Sequence, residues 1–389
     1  MPEHDVVDSH LSSEHRDFRT HLRILLTSDE MAQALSVAHT TEDDLDPRPV
    51  HQVLGRRGWL APQWPVRYGG LGADALTASI LTEELAMHGI PDSAHINTIR
   101  NAGSYLLQTG TEAQCGRYLP ALAGGQALMA VLYTEPAAGS DLAALETTAR
   151  GADGHWLLSG TKLYSVKTAV ADYGLIVART SRHRNTLIGI TLFVVHLNAP
   201  GVDVQRVDTM NVEPFYRVTF DDVLVSEDQV VGPVDGGWLV VTEALSMERV
   251  GIDFNAKVRS WLHQVRTLAE RTGRADDPVI RCRLSELDTS VAAGRSLAWQ
   301  MVRQLQDGEL DPAEAAMSKW FNSELGPPLA ELALEVSGAE GVLTGSIADA
   351  LLREAPGLTL SAGTSEMMLY VISTQLGLRG GADGGGADV

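Results

Sequence analysis

The spacing of apolar residues changes twice along the chain, and each change marks a switch in the predicted secondary structure. Up to about residue 127 the apolar positions recur with helical periodicity. From Ala127 to about Val231, short runs of Val, Ile, Leu and Thr are separated by Gly, Asp, Asn and Pro, as in antiparallel strands. Helical spacing then returns over 238–271, 278–307, 311–337, 342–355 and 365–376.

These switches predict an α+β fold with three domains in a chain of 389 residues. The predicted segments are a helical N-terminal domain in 1–127, an antiparallel β middle domain in 128–232, a C-terminal helical bundle in 233–379 and a disordered Gly-rich tail in 380–389. No proline occurs in 238–271, so this stretch predicts one unbroken helix.

Composition narrows the classes of function. The formal net charge of −20 argues against nucleic-acid binding, because contacts to phosphates need a basic surface. The N-terminus lacks the basic and apolar regions of a signal peptide, and no run approaches about 18 apolar residues, so no membrane span is predicted. The two cysteines and the histidines show no metal-ligand spacing. We therefore expect no metal, and a reducing, cytoplasmic location.

The segment from Ala127 to Thr148 is the first candidate for chemistry. An apolar run, Leu128 to Leu132, leads into a turn that contains Pro136, Gly139 and Ser140. Such a turn lets the backbone approach a ligand closely and directs N–H groups and hydroxyls to one place, which suits a flat polar ligand. An ordinary corner between a strand and a turn has the same pattern, so the residues alone leave both interpretations open.

A carboxylate in the predicted helix 238–271 is the second candidate. The residues one helical turn away from Glu248 are Ala244, Leu245, Gly251 and Ile252. A carboxylate in apolar surroundings has a raised pKa, which suits a general base. An ion pair with Arg249 or with another helix, without a catalytic role, explains the same pattern.

Two other charged motifs receive no catalytic role. Glu83 and Glu84 are adjacent near the end of a predicted helix, and we interpret them as a solvated or domain-contacting face rather than an acid–base pair. Lys162 lies in the sequence GTKLYS, and we expect a solvated turn residue there rather than a phosphate ligand.

Three segments resemble, in the right order, the flavin-binding signatures of the acyl-CoA dehydrogenase family. They are LYTEPAAGSD from Leu132 to Asp141, SGTKLYS from Ser159 to Ser165, and AGTSE from Ala362 to Glu366. The predicted order of helical, β and helical domains also matches the family's fold. The resemblance implies an FAD-dependent oxidoreductase that removes hydrogen from the α and β carbons of an acyl thioester.

The resemblance also implies how FAD would be held. The residues that it assigns to the isoalloxazine side are Leu132, Tyr133, Thr134, Ser140, Tyr164, Ser165 and Val166. Tyr164 stands where the family usually has tryptophan, and Val166 stands where a threonine hydroxyl commonly meets flavin N5. Thr364 and Glu366 match residues at the adenosine end. Arg271 matches an arginine that reaches the pyrophosphate from a neighbouring subunit, although a surface role at a helix end fits it almost as well.

The position of the base departs from the majority pattern of the family. Most members carry a glutamate at the position of Ala362, which cannot accept a proton here. The isovaleryl-CoA and long-chain branches instead carry the base on the long helix, immediately before an arginine, and Glu248-Arg249 resembles that site. The resemblance therefore implies that Glu248 is the base, that the backbone N–H of Ala362 polarises the thioester carbonyl, and that Ser140 and Arg249 also contact substrate.

Other classes of function remain open at this stage. A flavin-dependent monooxygenase on the same fold would need no carboxylate at residue 248, and a non-catalytic subunit would keep the fold without the chemistry. The acyl chain could be tethered to coenzyme A or to an acyl carrier protein. By resemblance, an electron-transfer flavoprotein is the expected electron acceptor, and a homo-oligomer, either a dimer or a tetramer, is the expected assembly.

Overall fold

The computed structural model describes residues 11–38 and 44–378, apart from the side chains of residues 243–248. The tail predicted in 380–389 lies outside the described residues. Helices form the N-terminal and C-terminal parts, and a sheet lies between them in the sequence, which confirms the α+β fold class. Among the described residues, no helix is long and apolar enough to cross a membrane.

The N-terminal helices follow the predicted periodicity. They are α1 (Ser13–Leu26), α2 (Asp29–Ala38), α3 (Arg48–Gly55), α4 (Ala75–Met87), α5 (Ser93–His95), α6 (Ser104–Thr109) and α7 (Glu112–Ala123). Side-chain caps fix two of the starts, because Asp74 accepts a hydrogen bond from the N–H of Thr77 and Thr111 accepts one from the N–H of Gln114. Between α5 and α6 the chain continues as a π-helix, Ile96–Gly103, which the periodicity does not predict.

The middle part is one eight-stranded sheet. Its strands are β1 (Met129–Leu132), β2 (Thr148–Ala152), β3 (His155–Val166), β4 (Tyr173–Arg179), β5 (Ile190–His196), β6 (Val202–Val207), β7 (Phe215–Ser226) and β8 (Val230–Val231). The strand order is β6-β7-β3-β2-β4-β5-β8, and β1 pairs with β4. Most pairs are antiparallel as predicted. However, β1 runs parallel to β4, and β2 meets β4 in parallel at one residue pair, so the sheet is mixed.

The C-terminal helices surround a second apolar core. They are α8 (Gly237–Glu248), α9 (Ile252–Arg271), α10 (Pro278–Asp307), α11 (Pro312–Ser323), α12 (Gly326–Ser337), α13 (Ile347–Leu360) and α14 (Ser365–Gln375). The prediction of one unbroken helix over 238–271 is wrong, because the chain leaves the helix after Glu248. Gly251 takes a left-handed conformation with φ of 83° and starts α9.

Buried charges join the N-terminal and C-terminal helices. Glu83 on α4 is 1% exposed and accepts hydrogen bonds from Arg19 on α1 and from Arg295 and Trp299 on α10, over 2.7–2.9 Å. Arg259 on α9 lies 3.6 Å from the same carboxylate. Glu83 and Glu84 are therefore both buried rather than solvated. Glu83 forms the domain contact, whereas Glu84 pairs with Arg23 on α1 at 2.8 Å, within the N-terminal helices.

Candidate active site

A cavity of about 250 Å³ lies where β1, the end of β3 and the start of α14 converge. We call it the central cavity. Its walls include Tyr133, Thr134, Ser140, Tyr164, Ser165, Val166, Arg249 and Ala362. The structure thus brings together residues from all three segments that resemble the flavin signatures, although more than 220 positions separate the first from the last.

The loop after β1 rests on a buried ion pair. The Lys162 ammonium is fully buried and lies 2.7 Å from Oε1 of Glu135, and it also donates to the carbonyl oxygen of Tyr133 at 3.1 Å. Burial lowers the pKa of Lys162 to about 8, although the charge of Glu135 opposes that shift. The expectation of a solvated turn lysine is therefore wrong, and Lys162 instead fixes the Tyr133–Glu135 segment from below.

The end of β3 presents an aromatic ring to the cavity through an irregular backbone. The pairing of β3 with β7 shifts register between Lys162 and Ser165, and Tyr164 takes φ of 61° there. The Tyr164 side chain is 55% exposed, and its ring meets Phe215 edge to face at 6.1 Å. Exposure of a large aromatic side chain in a strained backbone position is typical of a ligand-binding residue.

The opposite wall is the turn that precedes α14. Ala362 and Gly363 both have positive φ, 53° and 91°. A side chain on Gly363 would approach Cε of Met368 to 2.6 Å, so the turn packs tightly on α14. Lys319 on α11 is fully buried beneath this turn, and it donates to the carbonyl oxygens of Gly363 at 2.8 Å and Leu358 at 3.2 Å.

The break between α8 and α9 forms the third wall. Glu248 is the last residue of α8, but its side chain lies outside the described residues. Arg249 follows it and lines the central cavity. Because the helix ends at Glu248, Gly251 and Ile252 do not occupy the same helical face as this residue, which corrects the apolar environment inferred from helical spacing.

Several predicted cofactor residues do not line the central cavity. The Leu132 side chain is 1% exposed and packs in the core of the sheet, and Val131 lines the cavity instead. Arg271 is exposed at the end of α9, and Glu366 is exposed in the first turn of α14. The Thr364 hydroxyl caps α14 by accepting from the N–H of Met367. The contacts expected of these residues with FAD stay predictions.

The site also contains residues that the sequence did not single out. Asn97 and Asn101, on the π-helix, line the central cavity and a second cavity of about 270 Å³. We call the second one the adjoining cavity, and its walls include Tyr164, Val166, Phe254, Lys257, Glu354 and Ala362. No motif marks the two asparagines, because their approach to Tyr164 depends on how the N-terminal helices pack on the sheet.

An outer groove of about 660 Å³ continues from the adjoining cavity and shares Asp92, Glu213, Lys257 and Glu354 with it. The Lys257 ammonium lies 2.5 Å from Oε1 of Glu354. Burial alone would lower the pKa of Lys257, but Asp92 and Glu354 outweigh it, and the pKa lies above its ordinary range. The groove is thus lined by internally paired charges rather than by a field of one sign.

The chemistry of the cavity walls fits a flavin. Thr134, Ser140 and the ring of Tyr164 line the central cavity, so both polar groups and a flat aromatic face are available. The Ser165 hydroxyl instead donates to the carbonyl oxygen of Tyr216 and accepts from Thr168. A side chain added at Gly139 would meet no atom within 4 Å, so the turn leaves space for a ligand.

Comparison with known proteins decides the family. Three family profiles cover nearly the whole chain: the acyl-CoA dehydrogenase N-terminal domain over residues 12–126, the middle domain over 130–223 and the C-terminal domain over 235–377. The chain belongs to the acyl-CoA dehydrogenase family. It is therefore an FAD-dependent oxidoreductase that dehydrogenates acyl thioesters, and this activity is supported over flavin-dependent monooxygenation.

Individual relatives agree with this assignment. The acyl-CoA dehydrogenase FadE26 of Mycobacterium tuberculosis is 30% identical over 92% of this chain and 94% of its own length. Among solved structures, the Tcur3481-Tcur3483 steroid ACAD gives a TM-score of 0.84 at 26% identity, over 95% of this acyl-CoA dehydrogenase and 98% of that chain. The ChsE4-ChsE5 complex from Mycobacterium tuberculosis gives 0.82 at 27% identity, over 95% and 99%.

Proposed function

We propose that Glu248 is the general base of this acyl-CoA dehydrogenase and that it removes the α-proton of the acyl thioester. The observation that supports this role is the position of the α8–α9 break: the chain leaves the helix directly after Glu248, and the next residue lines the central cavity together with Ala362. Ala362 itself has no group that accepts a proton, so a base must come from another element of the site.

The turn at Ala362 supplies the second part of the proposal. An α-proton becomes acidic enough to remove only when the thioester carbonyl is polarised, because negative charge develops on that oxygen. We assign this task to the backbone N–H of Ala362, which survives the loss of the usual glutamate side chain. Lys319 positions this donor, because it holds the adjacent carbonyl of Gly363. Ser140 and Arg249 are proposed to contact the substrate from the other walls.

We assign the flavin ring to the walls formed by Tyr133, Thr134, Tyr164, Ser165 and Val166. When bound, FAD accepts the hydride that leaves Cβ, so that the thioester gains a double bond between Cα and Cβ. Tyr164 provides a stacking face, Thr134 provides a hydroxyl group, and Ser165 contributes its backbone to the wall. Thr364 and Glu366 are proposed for the adenosine end, and Arg271 for the pyrophosphate bound by a neighbouring subunit.

The assembly and partners follow from the same assignments. If Arg271 reaches the FAD of a neighbouring subunit, at least a dimer is required. A homo-oligomer is the expected form, and the two-component relative ChsE4-ChsE5 makes a second, different chain the alternative. We propose coenzyme A or an acyl carrier protein as the thioester carrier, and an electron-transfer flavoprotein as the acceptor of electrons from reduced FAD. The cytoplasmic location stays a prediction.

Anaerobic mixing with acyl thioesters tests the role of Glu248. Wild-type protein should lose the visible absorbance of oxidised flavin when a substrate is added. Glu248→Gln should retain bound FAD but reduce it about 10²- to 10⁴-fold more slowly, because the amide does not accept the proton. Glu270→Gln, at an exposed position on α9, is the matched control and should match the wild type. Unchanged reduction of flavin in Glu248→Gln would exclude the proposed base.

A further inference from the structure

A small cavity shares the wall residue Asn101 with the central cavity, and half of its lining residues are polar or charged. It has a volume of about 80 Å³ and is bounded by Ser79, Thr82, Arg100, Asn101, Val250 and Ile252, among others. We call it the inner cavity. A volume of this size is large enough for a few heavy atoms.

The inner cavity is continuous in its walls with the site of chemistry. Asn101 lines the central, adjoining and inner cavities. Val250 and Ile252, which form another part of the wall, flank the Gly251 break that follows Glu248 and Arg249. A thioester with its α-carbon near Glu248 would therefore direct the remainder of its acyl chain toward Asn101 and Arg100.

Two buried polar atoms in this region have no hydrogen-bond partner within the described part of the chain. One is Nη1 of Arg100, and the other is Oδ1 of Asp253 on α9. They lie 3.6 Å apart, which permits an ionic contact but is too long for a hydrogen bond. Unsatisfied buried donors and acceptors are costly. Arg100 lines the inner cavity and Asp253 lines the adjoining cavity, so the pair lies between two cavities, and a ligand group placed there would satisfy both atoms.

The π-helix gives these atoms their position. Arg100 and Asn101 both lie within Ile96–Gly103, where the wider turn changes which side chains face α9 and the sheet. Short π-helical segments occur frequently at functional sites. The π-helix therefore places Arg100 and Asn101 at the cavities. Packing of the surrounding helices alone would not require this wider turn.

The charges define the chemistry of the group that would bind there. Arg100 donates and Asp253 accepts, and together they are neutral. A carboxylate on the substrate would gain from Arg100 but would lie close to the Asp253 carboxylate and be repelled. A hydroxyl satisfies both atoms, because its oxygen accepts from Arg100 while its proton is donated to Asp253. A ketone satisfies Arg100 alone.

We propose that this enzyme acts on acyl thioesters whose chain carries a neutral oxygen group, a hydroxyl or a ketone, and that Arg100 and Asp253 recognise it. This inference rests on the proposed function, because the reactive end of the same substrate lies at Glu248. Arg100 and Asp253 determine specificity, and they take no part in the transfer of the proton or the hydride.

The test compares four coenzyme A thioesters of equal chain length that carry a hydroxyl, a ketone, a carboxylate or no group at the distal end, in a series of lengths. Dissociation constants are measured by perturbation of the flavin spectrum in Glu248→Gln protein, which separates binding from turnover. Flavin reduction is measured in protein with Glu248 intact. The hydroxyl or ketone thioester should bind about 10- to 100-fold more tightly than the unsubstituted and carboxylate thioesters.

Variants assign the recognition to the two residues. In Arg100→Met the hydroxyl and ketone thioesters should bind no more tightly than the unsubstituted thioester, and Asp253→Asn should weaken the hydroxyl thioester more than the ketone. If Arg100→Met does not fold because the Asp253 carboxylate loses its ionic contact, the double variant Arg100→Met/Asp253→Asn replaces it, since this variant removes both charges. Arg67→Met removes an exposed arginine whose partner Glu112 is also exposed, and it serves as the control.

The outcomes separate the two levels of the proposal. Tightest binding of the unsubstituted or the carboxylate thioester, or equal weakening of all four in Arg100→Met, overturns the substrate class while the Glu248 chemistry stands. Failure of every thioester to reduce the wild-type flavin overturns the proposed function and this inference with it.

Discussion

The hydroxyl of Ser318 donates a hydrogen bond to the main-chain carbonyl oxygen of Val250 at 2.8 Å, and this contact secures the break between α8 and α9. Ser318 is fully buried on α11, so the break is anchored to the centre of the C-terminal bundle. The turn has no room for a larger residue, because a side chain on Gly251 would approach Oγ of Ser318 to 2.7 Å. The end of α8, and with it Glu248, is therefore set by packing of α11.

Replacing Gly251 by alanine should destabilise the protein through both conformation and contact. The left-handed φ of 83° costs an alanine about 1–2 kcal/mol, and the clash with Ser318 adds about 1–3 kcal/mol. Gly273→Ala is the matched control, since Gly273 has φ of 68° but an added side chain there meets nothing within 4 Å. Urea unfolding of both variants measures the difference. Equal losses would mean that the Ser318 contact has no energetic weight.

Glu83→Gln should be among the most destabilising conservative substitutions in the chain. The amide cannot balance Arg19 and Arg295, which are 5% and 2% exposed, and breaking a buried ion pair costs about 3–5 kcal/mol. Glu112→Gln removes a carboxylate whose pair with Arg67 is exposed on both sides, so it should change stability by no more than about 1 kcal/mol. Thermal unfolding of the two variants under identical buffer conditions provides the comparison.

The buried Lys319 predicts a dependence of stability on pH. Burial lowers its pKa from 10.5 to about 8, so between these values the folded protein binds fewer protons than the unfolded chain. The contribution of Lys319 to stability should therefore rise with pH through this window. The advantage of wild type over Lys319→Met should increase by on the order of 2–3 kcal/mol from pH 8 to pH 10.5. Urea midpoints at several pH values measure it, and a constant difference would contradict the shift.

Lys162 has a lowered pKa as well. It is present in both the wild type and Lys319→Met, so its effect cancels from the difference in stability between them. Lys319→Met should also slow flavin reduction by acyl thioesters, since the Gly363 carbonyl loses the 2.8 Å contact that holds the turn. Lys319→Arg keeps a positive charge that does not titrate between pH 8 and pH 10.5, so it should lose this pH dependence as Lys319→Met does.

Moving the carboxylate across the cavity provides a test of geometry. Ala362 and Arg249 both line the central cavity, so a glutamate placed at residue 362 should point toward the same substrate carbon as Glu248. Glu248→Gln/Ala362→Glu should regain part of the flavin reduction that Glu248→Gln loses, at least about 10-fold over the single variant. The backbone at residue 362 already has φ of 53° with a side chain present, so the added strain is small. If the double variant retains FAD but recovers no flavin reduction, the carboxylates at residues 248 and 362 do not reach the same substrate carbon.

The sequence predicts the regular elements well where local signals exist. YGLIVART and VDVQRV are strands because short apolar or alternating runs end in turn residues on both sides, whereas HWLLSG is only the first half of β3, which continues to Val166. Residues 278–307 form one helix with Asp277 capping the start and Gly308 ending it in a left-handed conformation. The resemblance also assigns Tyr133, Thr134, Ser140, Tyr164 and Ala362 to one site, and these residues do line one cavity. Three motifs in the family's order indicate that their residues meet in the fold, which no single motif indicates.

The remainder depended on contacts between distant residues. Gly251 is as compatible with a helix interior as with a break, and Ser318, which decides between the two, lies 67 positions later. The parallel pairing of β1 with β4 joins strands about 44 residues apart, and neither strand's pattern encodes it. Lys162 resembles any turn lysine until the fold places Glu135 next to it. Arg100 lies in a π-helix that periodicity at 3.6 residues per turn does not detect.

The pair formed by Lys162 and Glu135 limits how the flavin loop can evolve. Loss of either member leaves a lone charge in the interior, whereas loss of both together can be tolerated if apolar groups fill the space. The two positions should therefore change in concert among homologues, and an intermediate sequence with only one of them should fold poorly. Substituting both with apolar residues of similar size is then the conservative route for redesigning the turn above them.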